Sequence, residues 1–327
     1  MSAPHGQFIN IMILPKIAFL FPGQGSQAAG MGKELAENYA IARQTFEEAD
    51  DALEYKVSQL CFEGREDQLQ LTEITQPAIL TGSVAAWRVL NEKGVQPNFV
   101  AGHSLGEYSA HVAAGTFSFA DAVRTVSKRG KYMQGAVSVG VGSMAAVLGL
   151  DLDKVSTLCR DAAQGEVCEP ANINSPEQIV ISGNKAAVER ATKLADERGA
   201  KRAIALAVSA PFHCSLMKPA QDQLAADLKS LAFGSPSVPV ACNVDAALVQ
   251  DAESSRDALI RQVTGAVKWE PCMKLLIAQG VQTFVEIGPG KVLCGLMRQI
   301  DRSKKCVNVE DEASLQKTLH HLAADAV

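Results

Sequence analysis

The chain has 327 residues, of which 47% are hydrophobic and 20% are charged, so it can bury a sizeable core and is not disordered. Its formal net charge is −5 and no basic cluster exceeds Lys128-Arg129-Gly130-Lys131, which argues against binding to nucleic acid. The eight cysteines form no C-x-x-C pair, which excludes a zinc ribbon or thioredoxin motif and predicts free thiols in a reducing cytoplasm, with no metal site.

The elements predicted over the first 140 residues alternate between strand and helix. The apolar run at 8–14 is too short for a signal peptide or a membrane span, so residues 1–15 are interpreted as an N-terminal extension of a cytoplasmic protein with no membrane partner. A continuous apolar run at 16–21 is typical of a buried parallel strand. Helices are predicted over 30–39, in two stretches within 40–62, and from Gln76-Pro77 to Leu90. A strand over 98–101 and a helix over 107–114 follow. Another helix begins at Ser118, where Asp121 three residues later resembles a capping box.

From residue 140 the predicted order changes to β-α-β-β-α-β. Strands at 143–150, 167–172, 178–182 and 203–208, with helices at 153–163 and 185–198, give the order of a ferredoxin-like unit. We therefore predict an α/β fold in which a core with a parallel sheet, residues 16–139 and 209–327, carries an inserted ferredoxin-like subdomain, residues 140–208. The runs at 238–243 and 283–287 are interpreted as the last strands of the core.

Residues 102–106, Gly-His-Ser-Leu-Gly, fit the Gly-x-Ser-x-Gly pattern between a predicted strand and a predicted helix. A sharp turn there lifts the Ser104 oxygen above the sheet, and the glycines let neighbouring elements pass close. It also places the Leu105 N–H at a helix N-terminus, where it can stabilise an oxyanion. The alternative is an ordinary serine in a tight turn, but the flanking elements favour a nucleophile.

A serine nucleophile needs a general base, which is usually a histidine. Five of the six histidines are poorly placed: His5 in the extension, His103 beside the serine, His111 about two helical turns beyond it, and His320 and His321 near the end of the chain. His213 remains, where the predicted subdomain ends and the core resumes. The alternative is that it caps helix 215–230. Unlike in an ordinary α/β-hydrolase, more than 100 residues follow this histidine, and no acidic residue stands out to orient it.

On the predicted helix that begins at Ser118, Arg129 shares one face with three apolar residues. Counting from Ala122 as i, Val126 is i+4, Arg129 is i+7 and Met133 is i+11. The apolar members indicate that this face is buried, and a buried arginine needs an anion. That anion is either an internal carboxylate such as Glu107 or the carboxylate of a substrate, which the planar guanidinium can hold through two hydrogen bonds. The spacing leaves both alternatives open.

The loop at 23–28, Gly-Gln-Gly-Ser-Gln-Ala, matches the G-x-G-x-x-A pattern of dinucleotide-binding loops. Such a loop requires an acidic residue at a strand end about 20 positions later. Glu47, Glu48 and Asp50 have that offset but lie in a predicted helix. The loop therefore does not indicate a nucleotide cofactor.

Taken together, seven segments closely resemble the malonyl-CoA:acyl carrier protein transacylase family. They are Phe21-Pro-Gly-Gln-Gly-Ser-Gln27, Thr75-Gln-Pro-Ala78, Gly102-His-Ser-Leu-Gly-Glu-Tyr-Ser-Ala110, Arg129-Gly-Lys-Tyr-Met-Gln134, Asn174-Ser-Pro176, His213-Cys-Ser-Leu-Met-Lys-Pro219 and Glu286-Ile-Gly-Pro-Gly-Lys-Val-Leu293. They follow the family's order over most of the chain, and this set is far more specific than any single motif.

The resemblance implies a hydrolase-like core with a ferredoxin-like subdomain. It also implies an acyltransferase that moves malonyl from malonyl-CoA to the phosphopantetheine thiol of acyl carrier protein in fatty-acid biosynthesis. The implied roles are Ser104 as nucleophile, His213 as base, the backbone N–H groups of Gln24 and Leu105 as oxyanion hole, Arg129 as carboxylate ligand, and Gln262 as the residue whose backbone carbonyl orients His213. Such a Ser–His dyad explains the missing acid. Coenzyme A enters as a substrate thioester, so no cofactor is implied. The sequence departs from the family pattern at Phe212, where other members carry serine.

Three other functions share part of these features. A serine esterase would use Ser104 and His213 but pass the acyl group to water. A nucleotide-binding oxidoreductase would use the loop at 23–28. A carrier-protein docking module would bind the carrier protein without acylation of Ser104.

Overall fold

The structure is a computed structural model that describes residues 15–324. The predicted extension at 1–15, including His5, thus lies outside the described residues apart from Pro15. No helix in the described part is both long and apolar enough to cross a membrane.

The described residues form two sheets and fourteen α-helices. The strands of the large sheet are β1 Lys16–Phe21, β2 Phe99–Gly102, β7 Val240–Cys242, β8 Ala247–Val249, β9 Val281–Ile287 and β10 Lys305–Val309; those of the small sheet are β3 Gly142–Leu148, β4 Cys168–Ser175, β5 Gln178–Asn184 and β6 Arg202–Ala205. The helices are α1 Lys33–Asn38, α2 Ala40–Leu53, α3 Val57–Glu63, α4 Glu66–Leu69, α5 Thr72–Glu92, α6 Gly106–Ala113, α7 Phe119–Gly135, α8 Leu152–Ala163, α9 Lys185–Glu197, α10 Lys218–Ser230, α11 Ala252–Arg261, α12 Trp269–Ala278, α13 Val292–Ile300 and α14 Glu312–Ala324. A 3₁₀ turn, Ser215–Met217, precedes α10.

The large sheet has the strand order β10-β9-β1-β2-β7-β8 and is parallel except for the β7–β8 pair. Strand β1 has the predicted bounds and is buried on both faces, since Phe19 and Phe21 pack into one core cluster and Ala18 and Leu20 into another. Burial on both faces is why its sequence is a continuous apolar run. The carboxyl ends of β2 and β7 lie side by side, which places the residues that follow them together.

The small sheet is antiparallel, with the order β4-β5-β3-β6. Helices α8 and α9 pack their apolar stripes against it, with Val155, Leu158 and Val188 in a core cluster of its own. This is the ferredoxin-like arrangement, and the predicted fold class is confirmed. The small sheet contacts the core through a bridge between Asn172 on β4 and Val267, just before α12.

Helix α5 begins at Thr72, so the prediction that Gln76-Pro77 opens this helix is wrong. Proline inside a helix removes a hydrogen bond and is normally costly. Here Thr75, Gln76 and Pro77 are all buried, so tertiary packing overrides the local preference. The earlier start carries the Gln76 side chain into the site described below.

Strands β8 and β10 were not predicted, and the last strand of the core is β10 rather than β9. Both are short strands at the two edges of the sheet, and β10 interleaves Lys305 and Asn308 with apolar residues. Strand β8 has only three residues, too few to form a distinct pattern. Strand β10 is partly solvated and lacks the continuous apolar run that identifies a central strand.

The expectation of free thiols throughout the chain is wrong for two cysteines. Cys294 on α13 and Cys306 on β10 form a disulfide, with their Cα atoms 5.2 Å apart. The packing of the helix against the strand brings together residues that the sequence spacing does not connect. The other six cysteines are free and buried.

Candidate active site

Ser104 lies in the turn between β2 and α6 and has a φ of 52°, a left-handed conformation that is uncommon for residues other than glycine. The turn is tight because its glycines touch backbone. A Cβ on Gly102 would overlap the carbonyl group of Gly106, and one on Gly106 would overlap that of Phe21 on β1. The serine side chain is therefore presented at the carboxyl end of the sheet on a backbone fixed from both sides.

Asn243, directly after β7, fixes this turn with three hydrogen bonds and is fully buried. Its Oδ1 accepts from the Ser104 N–H at 2.7 Å, and its Nδ2 donates to the Gly102 carbonyl at 2.8 Å. Its own backbone N–H donates to Glu107 Oε2 at 3.0 Å. These contacts fix the chain before, at and after Ser104, the residue with the left-handed conformation.

His213 lies between the small sheet and α10, and its Nε2 is 2.7 Å from Ser104 Oγ. Its Nδ1 is 2.9 Å from the Gln262 carbonyl oxygen and 3.2 Å from that of Gly265. Carbonyl oxygens only accept, so Nδ1 carries the proton and Nε2 is free to accept one from the serine. Burial, with the charge of Arg129 as the second cause, lowers the pKa of His213 to about 3, so the imidazole is neutral at neutral pH.

Arg129 is 1% exposed and pairs with no carboxylate among the residues that the structure describes. Its Nη1 donates to Gln76 Oε1 at 2.8 Å, and its Nη2 donates to Gln262 Oε1 at 2.9 Å and to Ser104 Oγ at 3.2 Å. The predicted burial of this arginine is confirmed. Of the two anions considered from the sequence, Glu107 makes no direct ion pair with it, and neutral amides hold the guanidinium.

Gln262 joins four parts of the site. Its backbone carbonyl accepts from His213, its Oε1 accepts from Arg129, and its Nε2 donates to the Ser104 carbonyl at 2.9 Å and to Glu107 Oε2 at 2.8 Å. Both amide hydrogens are thus engaged. Gln262 is fully buried, which holds this arrangement rigid.

Gln24, Ser104, Arg129 and His213 line one cavity of about 120 Å³. Most of the other lining residues are apolar and come partly from the small sheet and the segment after it; they are Met133, Met144, Leu206, Val208 and Phe212, together with Gln76, His103 and Asn172. Within the described residues, the backbone N–H groups of Gln24 and Leu105 donate to no protein acceptor. The Gln24 N–H belongs to a residue that lines the cavity, and the Leu105 N–H directly follows Ser104 in the turn.

The other histidines of this region are engaged elsewhere. His103 Nε2 is 2.8 Å from Asn174 Oδ1, and His111 Nδ1 is 3.0 Å from Thr116 Oγ1 inside the core. His320 and His321 lie on the C-terminal helix α14. Residues 15–324 contain no group of three or more His, Cys, Asp or Glu side chains arranged to hold a metal ion.

The loop at 23–28 lies against the turn that holds Ser104. A Cβ on Gly23 would overlap the carbonyl oxygen of His103, so this glycine permits the close approach of two backbone segments. Its sequence pattern thus has an explanation that involves no nucleotide.

Sequence reasoning missed Asn243, Gln76 and the buried carboxyl of Glu107 as parts of the site. A signal existed for Asn243, because a polar residue that directly follows a buried strand lies at the same sheet edge as the residues that follow the neighbouring strands. For Gln76, the misplaced helix start hid its position. Glu107 was considered only as a direct partner of Arg129, whereas it reaches Arg129 through Gln262.

Comparisons with known proteins agree on one family. Residues 18–321 match the family model described as an acyl transferase domain. The chain is 48% identical over 307 residues to the malonyl CoA-acyl carrier protein transacylase of Salmonella typhimurium. The aligned region covers 94% of this chain and 99% of that protein.

Solved structures give the same result. The malonyl CoA-acyl carrier protein transacylase of Coxiella burnetii matches with a TM-score of 0.93 and 43% identity, over 94% of this chain and 98% of that one. A malonyl-transacylase solved in complex with a type II PKS acyl-carrier protein matches with a TM-score of 0.92 and 48% identity, over 94% and 99% of the two chains.

Proposed function

The chain belongs to the acyl transferase family, among its malonyl-CoA–acyl carrier protein transacylases, and on this premise we propose that it transfers malonyl through an ester on Ser104. The donor is malonyl-CoA and the acceptor is the phosphopantetheine thiol of acyl carrier protein. The reaction needs no resident cofactor, because the thioester itself is the activated group. We expect the product to feed fatty-acid synthesis.

One observation carries the mechanism: Ser104 Oγ, His213 Nε2, His213 Nδ1 and the Gln262 carbonyl form one continuous line of hydrogen bonds of 2.7 and 2.9 Å. A neutral histidine oriented by a carbonyl is a competent base for a serine hydroxyl. The carbonyl here takes the orienting role that an acidic residue has in a triad.

In the first half-reaction, Ser104 Oγ attacks the thioester carbonyl carbon while His213 Nε2 takes the hydroxyl proton. The backbone N–H groups of Leu105 and Gln24 hold the oxyanion that forms. The C–S bond then breaks, and the coenzyme A sulfur receives the proton from His213. The products are free coenzyme A and a malonyl-Ser104 ester.

In the second half-reaction, His213 takes the proton of the phosphopantetheine thiol, whose sulfur attacks the ester carbonyl. The C–O bond to Ser104 breaks, and His213 returns the proton to Oγ. The exchange is therefore of the ping-pong type. The apolar lining of the cavity, with Met133, Met144 and Phe212, supports transfer to the thiol over hydrolysis because it disfavours water.

Arg129 is proposed to bind the free carboxylate of the malonyl group. Its Nη2 is within 3.2 Å of the attacking oxygen, so a carboxylate held there lies beside the reacting carbonyl. The carboxylate would replace the hydrogen bond to Ser104, whereas Gln76 and Gln262 would keep the guanidinium in place.

The test is mass spectrometry after brief mixing with malonyl-CoA in the absence of carrier protein. A malonyl adduct on the peptide that contains Ser104, absent in Ser104→Ala, is the expected result. Addition of phosphopantetheinylated carrier protein should remove the adduct and load the carrier. An esterase would release free malonate instead, and an adduct that persists in Ser104→Ala would overturn the proposal.

A further inference from the structure

Glu107 is a fully buried carboxyl group one helical turn behind Ser104. Its Oε2 accepts two hydrogen bonds, from Gln262 Nε2 at 2.8 Å and from the Asn243 N–H at 3.0 Å. Its Oε1 has no partner among the described residues. A buried carboxyl with only half of its hydrogen-bonding capacity used is costly, and the dyad chemistry derived above does not use it.

One amide separates this carboxyl from the guanidinium of Arg129. The Gln262 side chain turns its oxygen to Arg129 Nη2 and its nitrogen to Glu107 Oε2. The amide dipole is therefore aligned between a cation and an anion, which transmits their attraction while keeping them apart. The Arg129 fork remains open toward Ser104 and the cavity.

We propose that Glu107 is the resident counter-charge of Arg129 and thereby sets how strongly the site prefers an acyl group with a free carboxylate. This inference rests on the proposed function, in which Arg129 binds malonyl. Glu107 touches no reacting atom, so it is a positioning residue that acts through Gln262 and Arg129.

The reason lies in the charge balance of a buried site. Without substrate, one guanidinium faces one carboxyl group. A malonyl carboxylate adds a second negative charge to the same guanidinium, and two carboxylates compete for it. An ionised Glu107 therefore lowers the affinity of Arg129 for the malonyl carboxylate, and a protonated Glu107 raises it. A moderate affinity allows the malonyl group to transfer to the carrier thiol instead of remaining on the enzyme.

The protonation state of Glu107 changes near neutral pH, because burial raises its pKa to about 7 against the opposing hydrogen bonds of Gln262 and Asn243. The other titratable groups that face it are Arg129 from α7, Tyr108 beside it on α6, Cys242 on β7, Asp245 after β7, and Cys272 on α12.

These neighbours keep one charge state between pH 6 and 8. Burial raises the pKa of Tyr108 to about 12, that of Cys242 to about 11 and that of Cys272 well above its usual value, so all three stay neutral. Hydrogen bonds from Arg261 lower the pKa of Asp245, which stays ionised. Arg129 stays cationic. Glu107 is thus the group of this set that titrates in the range.

The experiment measures the malonyl-to-acetyl ratio of kcat/KM between pH 6 and 8. The ratio cancels the titration of the coenzyme A phosphates and of the dyad, which both substrates share. In the wild type, the ratio should fall by about threefold or more as Glu107 ionises. In Glu107→Gln it should stay flat at the higher, low-pH value. The glutamine oxygen can keep both hydrogen bonds made by Oε2, so this substitution removes mainly the charge.

The matched control is Glu286→Gln. Glu286 is also a buried glutamate, its pKa is also raised by burial to about 7, and it accepts hydrogen bonds from the backbone N–H groups of Leu293 and Cys294. Its variant should keep the wild-type slope, even if it loses stability. A wild-type slope in Glu107→Gln, or a flat ratio in Glu286→Gln, would overturn the inference.

A second measurement does not need the Glu107 variant to fold. Calorimetric binding of malonyl-CoA to Ser104→Ala at pH 7.5, in buffers of different ionisation enthalpy, should show net proton uptake that acetyl-CoA binding lacks. Equal proton uptake for the two ligands contradicts the role of Glu107. Failure of the proposed function is a different result, since the wild type would then form no malonyl ester on Ser104 at any pH.

Discussion

At the scale of single residues, His213 is the proposed general base, because it alone among the described histidines contacts Ser104. We expect His213→Ala to lower the rate of Ser104 malonylation by about 10²-fold or more, the usual contribution of a general base. His111→Ala removes another buried imidazole, which among the described residues hydrogen-bonds Thr116. It should cost stability and leave the rate per folded molecule near that of the wild type. Stopped-flow or quenched-flow malonylation checks both variants, and equal rate losses would contradict the assignment.

Arg129 is the proposed ligand of the malonyl carboxylate, so its removal should change the selectivity between acyl groups. We expect Arg129→Ala to lose about 2–4 kcal/mol of transition-state stabilisation with malonyl-CoA, comparable to breaking a buried charge pair. Transfer of acetyl should fall much less or rise, because acetyl has no carboxylate to pair. The measurement is the malonyl-to-acetyl ratio of kcat/KM.

Arg129→Lys is the matched variant, since it keeps the positive charge and loses the planar fork. An ammonium cannot bond Gln76, Gln262 and a carboxylate in the same plane, so rescue should be partial. A ratio unchanged in both variants would mean that Arg129 only stabilises the fold and that the malonyl carboxylate binds elsewhere.

At the scale of elements, the turn between β2 and α6 depends on Gly102, which has no role in the proposed reaction. Gly102→Ala would place a Cβ on the backbone of Gly106 and Glu107, which cannot move without displacing Ser104. We expect loss of folding or a malonylation rate at least tenfold lower. Gly135→Ala, at the end of α7, meets no atom within 4 Å and should be tolerated or slightly stabilising. Thermal unfolding and malonylation of both variants test this, and an active, stable Gly102→Ala would contradict it.

The elements that the sequence predicts are those whose buried residues form a regular pattern along the chain. Strand β1 was predicted to the residue because both of its faces are buried, and α7 was predicted because its cap, Ser118, accepts from the Asp121 N–H as expected. Strand β8 was not predicted because it has only three residues, and β10 was not predicted because polar residues interrupt its apolar pattern. The start of α5 escaped because burial of Pro77 outweighs its local cost, an effect that local sequence cannot show.

The same distinction applies to the site. The pattern around Ser104 and the elimination that left His213 depended on local sequence, whereas the orienting carbonyl of Gln262 was supplied by the family resemblance. The side-chain contacts of Gln262, Asn243 and Glu107 join positions more than 130 residues apart. Such contacts depend on how strands and helices come together, so no local pattern reports them.

At the scale of the whole molecule, the small sheet completes the cavity that the core begins. Met144 on β3 and Asn172 on β4 line it, while Asn174 near the end of β4 holds His103 beside Ser104. Ser175 bonds Gln299 on α13, which fixes the small sheet to the core on a second side. The apolar half of the cavity therefore comes partly from a unit that carries neither Ser104 nor His213.

The free energy of unfolding of the whole chain should also depend on the charge of Glu107, which is buried one helical turn from Ser104. A carboxyl whose pKa is higher in the folded than in the unfolded chain contributes stability that is complete below the unfolded value and is lost as pH rises to the folded one. For Glu107 that window runs from its ordinary pKa up to about 7. Glu107→Gln, which has the same shape and no charge to release, should therefore gain stability relative to the wild type as pH rises from 5 to 7.5.

The expected gain is about 2–3 kcal/mol in the free energy of unfolding, at roughly 1.4 kcal/mol for each unit of pKa difference. Urea unfolding of both proteins across this range measures it, and the difference between them cancels the titration of every other group. Glu189→Gln, on the exposed face of α9, is the control and should run parallel to the wild type because its side chain is solvated in both states. A constant difference between Glu107→Gln and the wild type would mean that Glu107 keeps the same protonation state throughout, and its charge could not then moderate malonyl binding near neutral pH.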